Sequence, residues 1–160
     1  MTKKQMSWQE KLMDSKGFPK VVEITPKMAE KWGTKPHDTV VIPAPLEVDG
    51  IMRRVPKGKL ITINQIRDAL AKRHRATIGC PITTGIFAAI AARAAADAMT
   101  AGKKDITPYW RTLKQGGVIN EKYPGGIELQ KRLLEQEGHK VVQKRKRFVV
   151  KDFETKVINL

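Results

Sequence analysis

Apolar residues in this chain recur at helical spacing in a few long segments and bunch into short runs elsewhere. The pattern predicts a mixed fold whose core is carried mainly by helices. Thr62 followed three residues later by Gln65 fits a capping box, and the helix it opens carries Ile63, Ile66, Ala69 and Leu70 at helical spacing. A second helix, capped by Thr83 or Thr84, is expected to run to about Met99. Its large apolar residues (Ile86, Phe87, Ile90) come early and its alanines late. Shorter helices are expected at Lys27–Trp32, after Thr25-Pro26 and before Gly33, at Leu46–Val55, and at Ile127–Glu137 with Gly138 as its stop. Asp38–Ile42 reads as a strand closed by Pro43 and Pro45, and Lys59–Ile61 as a brief extended piece. Arg75–Pro81 reads as a connector. Thr112–Asn120 reads as a hairpin turning at Gly116-Gly117. In the tail, Val141-Val142 and Phe148–Val150 read as strands joined by the basic turn Gln143–Arg147.

Two capped helices followed by a hairpin predict a winged helix-turn-helix. The fold class is therefore α/β, mainly α, with a short N-terminal extension and a C-terminal basic hairpin. The organisation divides as 1–45 (extension with a short helix and strand), 46–138 (winged helix) and 139–160 (hairpin tail packed on the same domain). Residues 1–20 read as a loose polar, Lys-rich arm or short helix with Trp8 and Leu12 as isolated apolar anchors.

Charge sharpens the picture. The 160 residues carry 31 Lys and Arg against 16 Asp and Glu, a formal net charge of +15. Such a surplus favours a polyanion, with nucleic acid ahead of an anionic membrane. The longest apolar-leaning stretch, Ile82–Met99, is interrupted by Arg93 and Asp97 and is mostly alanine, so no bilayer span is expected. The first residues lack the apolar run of a signal peptide. A single cysteine, Cys80, excludes an internal disulfide and a Cys-based zinc site. His37, His74 and His139 are too far apart for metal-ligand spacing. The expectation is a cytoplasmic protein with no metal and no cofactor.

Four segments carry a resemblance: Pro108-Tyr109-Trp110-Arg111, Tyr123-Pro124-Gly125-Gly126-Ile127, the helix Ala91–Met99 with Arg93 at its centre, and Val55–Thr62. From about Ile51 to Gly138 the chain resembles the DNA-binding domain of the O6-alkylguanine-DNA alkyltransferases. The resemblance implies that the alanine-rich helix enters the minor groove, with Ala92 and Ala94 permitting close approach and Arg93 filling the space left by an extruded base. It implies a base pocket at Tyr109, Trp110, Arg111 and Tyr123. The departures are equally informative. Tyr109, Trp110 and Lys131 stand where the family's Cys-His-Glu relay is matched, and none can form or activate a thiolate. Ile63 stands for a Tyr, Gly102 for an Asn and Asp97 for a Gly. Residues 73–84 are an insertion, and the family's N-terminal domain has no counterpart in residues 1–45. A subset of the family, the alkyltransferase-like proteins, also lacks the Cys and binds alkylated guanine without repairing it.

Lys57, Lys59, Arg67, Arg73, Lys114 and the run Lys144, Arg145, Lys146 and Arg147 are the further candidates for phosphate contact. The expected function is non-catalytic binding of double-stranded DNA, directed at alkylated or extruded guanine, with DNA repair proteins as further partners and no membrane. Two rivals stand beside it: alkyl transfer through Cys80, and an RNA- or protein-binding module on the same scaffold.

Overall fold

The computed structural model describes residues 6–15 and 17–159. The Lys-rich start of the expected arm, residues 1–5, lies outside the described residues, as do Lys16 and Leu160. The chain opens with a short helix, α1 (Trp8–Met13), closed at its start by a reciprocal capping box between Ser7 and Glu10. Then follow β1 (Lys20–Glu23), α2 (Pro26–Trp32) and β2 (Thr39–Ile42). α2 has the expected caps: Thr25 accepts the Met28 N–H, Pro26 occupies the first turn, and Gly33 stops the helix at φ +66°.

α3 (Pro45–Arg53), β3 (Ile61–Thr62), α4 (Ile63–His74), β4 (Ile78–Gly79) and α5 (Pro81–Thr100) form the centre. α4 carries the capping box expected at Thr62 and Gln65. α5 begins earlier than either threonine. Cys80 is its N-cap, with Sγ accepting the Thr83 N–H, and Pro81 fills the first turn. The preference for threonine caps obscured this start, because a thiol is a weak acceptor and Pro at the first helical position was the stronger signal.

The expected connector at 75–81 contains β4, which pairs parallel to β2, while β2 pairs antiparallel to β1. The insertion thus supplies the third strand of a sheet built by the N-terminal extension. The two share a small core of Ile24, Ala29, Val40 and Cys80. The strand passes so close to α4 that a Cβ on Gly79 would lie 2.6 Å from the Arg67 carbonyl oxygen. Gly79→Ala is therefore expected to cost about 1–3 kcal/mol, because the contact is with backbone that cannot rotate away. A chemical denaturation midpoint equal to wild type would contradict that packing.

α5 is the spine of the main core. By length and composition it could cross a bilayer, contrary to the expectation from sequence. In the structure its Phe87, Ala88, Ala91, Ala92, Ala94 and Ala95 are buried, with α1 and α3 packed against it. Ala92 and Ala94 thus face the protein. Their small side chains serve helix–helix approach rather than groove contact, a correction to the sequence reading.

The remaining elements are β5 (Thr112–Leu113), α6 (Gly126–Gln136), β6 (Val141–Lys144) and β7 (Arg147–Val150). The wing differs from expectation. β5 pairs parallel to β3, and Lys114 bridges back to Val118 around the glycine turn, so no two-stranded hairpin forms at 112–120. Val118 instead bridges Val149 on β7. The C-terminal hairpin is present, with a tighter turn than expected: β6 extends to Lys144, and Arg145 supplies a positive φ of 58°. A second core of Leu60, Leu113, Ile119, Leu134 and Val150 fixes this tail to the domain.

Candidate nucleic-acid interface

One face of α5 remains open. Ile82 and Ile86 are 55% and 50% exposed, and Ala89, Arg93 and Asp97 continue the same stripe at helical spacing. A cleft of about 680 Å³ runs along it. Its floor is apolar, with Ile63, Ile86, Ile90, Leu113 and Tyr123 among its lining residues. The lining also holds Lys11, Arg93, Lys114 and Lys122, and no carboxylate among the described residues. The four lining cations concentrate positive potential over an apolar surface, which suits a nucleotide strand better than a neutral ligand.

A second cleft, of about 730 Å³, lies between the glycine turn and the C-terminal hairpin. Lys114, Lys146 and Arg147 line it, together with Glu121. Lys114 lines both clefts, which therefore adjoin. Lys144 and Arg145 are exposed on the same hairpin. The tight turn that presents these side chains follows from the antiparallel register of β6 and β7.

The other sequence candidates are placed elsewhere. Lys57 and Lys59 are exposed on either side of Gly58, whose N–H donates to Glu137. Arg67 is half-buried and donates from Nε to the Gly79 carbonyl at 3.0 Å. Arg73 pairs with Glu47 at 3.3 Å, and His74 Nε2 lies 2.6 Å from the same carboxylate. Arg67 and Arg73 thus have intramolecular partners that a phosphate would have to replace.

Tyr109, Trp110, Arg111 and Tyr123 do come together, as packed structure. Tyr109 is fully buried, and its ring meets Trp110 edge-on at 5.4 Å and Tyr123 edge-on at 5.6 Å. Its hydroxyl has no hydrogen-bond partner among the described residues, and burial pushes its pKa up. Tyr123 is buried too, and burial likewise raises its pKa; it still lines the cleft beside α5. Arg111 donates from Nε and Nη2 to Glu137 at 2.9 and 2.7 Å, and from Nη1 to the Val55 carbonyl at 2.7 Å.

Glu137 also accepts the Trp110 indole N–H at 2.9 Å. Burial opposes its ionisation, but Arg111, Trp110 and the Gly58 N–H together hold its carboxyl below the usual range. Lys131 is not the residue that faces position 110. It lies on α6 beside Glu135, 3.8 Å away and partly exposed. The six-residue offset between 131 and 137 turns the helix by roughly 240°, so the two positions point to different sides. The sequence reading placed the third relay position on the wrong side of α6.

Cys80 is buried as the cap of α5 within the small core of the N-terminal sheet. Among the described residues no group of three or more His, Cys, Asp or Glu is placed to hold a metal ion. The sequence reading missed Lys11, Lys122 and Glu137. Their signals were present in the spacing of Trp8 and Lys11 on one short helix, Lys122 beside Tyr123, and a carboxylate next to the helix-stopping Gly138.

The profile of the family described as "6-O-methylguanine DNA methyltransferase, DNA binding domain" matches residues 45–139. Two solved structures are similar. One is S. pombe Atl1 in complex with damaged DNA containing O6-carboxymethylguanine, at 19% identity and a TM-score of 0.48, covering 72% of this chain and 94% of that one. The other is S. pombe ATL in complex with DNA, at 18% identity and a TM-score of 0.45, with the same coverage. No curated protein sequence matches the chain.

Proposed function

The chain belongs to the 6-O-methylguanine DNA methyltransferase DNA-binding-domain family, and from that premise we propose that it binds double-stranded DNA without alkyl transfer. The observation that carries the reading is the cleft beside α5, with its four cations, apolar floor and no lining carboxylate among the described residues. The cations hold phosphates, and the floor receives a base that has left the stack. The adjoining cleft, lined by Lys146 and Arg147, extends the backbone contact. Alkylated guanine is the favoured target, since an extruded base is what an apolar recess beside Arg93 accommodates.

Two features support the absence of catalysis. Position 109 carries a buried phenol rather than a thiol, and the hydrogen bond to Glu137 comes from an indole N–H, which cannot take up a proton. Cys80 caps a helix in another core. Incubation with O6-benzylguanine is accordingly expected to leave the intact mass unchanged, and a one-benzyl increase lost in Cys80→Ser would establish the enzymatic rival. Arg93→Ala is expected to weaken duplex binding by about 1–3 kcal/mol, the range of a well-placed groove contact. Unchanged affinity measured by anisotropy would count against Arg93 and favour the binding-module rival.

A further inference from the structure

α1 lies outside the residues matched by the family profile, yet it forms one side of the cleft. The Arg93 guanidinium carbon sits 4.7 Å from the centre of the Trp8 ring, and the Lys11 ammonium 4.3 Å from it. Both geometries are those of cation–π contacts. Leu12, 3% exposed, anchors the helix in the main core, and the Ser7–Glu10 capping box fixes its first turn. Trp8 and Lys11 are both half-buried and both line the cleft that Arg93 lines.

Two roles fit a helix in this place. A cover that blocks the cleft would be expected to neutralise it with acidic side chains. A wall that extends the cleft would add groups that nucleic acid welcomes. α1 presents an aromatic ring and a cation to the cleft. Its acidic residue, Glu10, is turned to the capping box and is not part of the lining. Arg93 lines the cleft with its guanidinium over the Trp8 ring, so the two elements meet at the recess.

We propose that α1 is a wall of the binding site supplied from outside the family-matched residues, with Trp8 as a stacking residue for an unpaired nucleobase and Lys11 as a contact to its flanking phosphate. The ligand class is an unstacked nucleotide within a duplex. The ring holds Arg93 and Lys11 at the recess, and a base that stacks on it takes the place of one of these cations. This inference rests on the proposed DNA-binding function, and its test separates the two.

The full chain is titrated against a matched duplex and a duplex with one unpaired thymine, across a salt series, as wild type, Arg93→Ala, Trp8→Ala, Trp8→Phe and Lys11→Gln. Trp8→Ala is expected to weaken binding to the unpaired-base duplex about 5- to 100-fold, and the matched duplex much less. Trp8→Phe, which keeps an aromatic face, is expected to restore most of that loss. Lys11→Gln is expected to lower the salt slope by ~1, which a purely structural role would not do. Should Trp8→Ala lose its fold, the Trp8→Phe rescue and the Lys11→Gln slope decide the matter. Wild-type binding that weakens in Arg93→Ala but ignores Trp8 and Lys11 overturns this inference alone. Tighter binding by Trp8→Ala makes α1 a cover and overturns it as well. No binding by wild type overturns the proposed function and this inference with it.

Discussion

Glu137→Ala is expected to destabilise the protein by about 3–5 kcal/mol, the cost of leaving one member of a buried ion pair without its partner. The side chains of Arg111 and Glu137 are 14% and 7% exposed, and the carboxylate takes hydrogen bonds from Arg111, Trp110 and Gly58. Its removal strands a guanidinium and an indole N–H at the junction of α6 with the turn carrying residues 109–111. For a domain of this size the melting temperature falls by roughly 6–20 °C. A loss below about 1 kcal/mol would mean that the pair is a surface contact in solution.

The same carboxylate sets the acid limb of the stability curve. Its folded pKa lies below the usual range, as does that of Glu47, where burial is outweighed by bonds from His74, the Ala44 N–H and Arg73. A depressed folded pKa contributes stability that is present above the unfolded value, about 4.3 for Glu, and is lost as pH falls through the folded value. His139 adds a loss of the same sign, beginning near pH 6.5. Burial first, then Lys156 and Arg111, lower its pKa against the pull of Glu137, so acid must charge a buried imidazole. Wild type should therefore lose stability as pH falls below about 6.5 and again as it falls below about 4.3, and Glu137→Ala should show a shallower slope in the second, more acidic limb.

Tyr109 carries the second large effect, and the direction depends on the substitution. Tyr109→Ala opens a cavity between Trp110, Tyr123 and α5 and is expected to cost about 3–5 kcal/mol. Tyr109→Phe removes a buried hydroxyl that has no partner among the described residues while keeping both edge-on ring contacts. It is expected to be neutral or stabilising by up to about 1 kcal/mol. Denaturant midpoints of the two variants measure the contrast. A large loss in Tyr109→Phe would show that the hydroxyl is bonded in solution, and would reopen the pocket that the packed rings now close.

The parts of the fold legible in sequence were those written in local chemistry. Thr25 with Pro26, Thr62 with Gln65, and the helix stop after α2 are reproduced because capping depends on residues within one turn. The strand at Ile78–Gly79 was illegible. Two residues have no periodicity, and their pairing to β2 spans 38 positions. The wing failed for a related reason: Gly116-Gly117 does turn the chain, but the partner of Val118 is Val149 on the tail hairpin, which local pattern does not reveal. Of the residues that line the cleft, Arg93 was singled out by the family resemblance and Lys114 by its charge. Trp8 was read only as an apolar anchor and Lys11 was not singled out, because their spacing on one short helix does not disclose what that helix packs against. The alanines were given the wrong neighbour, since small side chains admit a close-packed helix as readily as a groove.

DNA binding by this chain is assigned to the cleft beside α5, whose described lining holds four cations and no carboxylate. Fluorescence anisotropy with two duplexes, identical except for one O6-methylguanine, across 50–200 mM salt tests it most directly. The account predicts binding to both that falls steeply with salt, with a slope reflecting several released counterions, and tighter binding to the modified duplex. Absence of binding to either duplex at the lowest salt would contradict it.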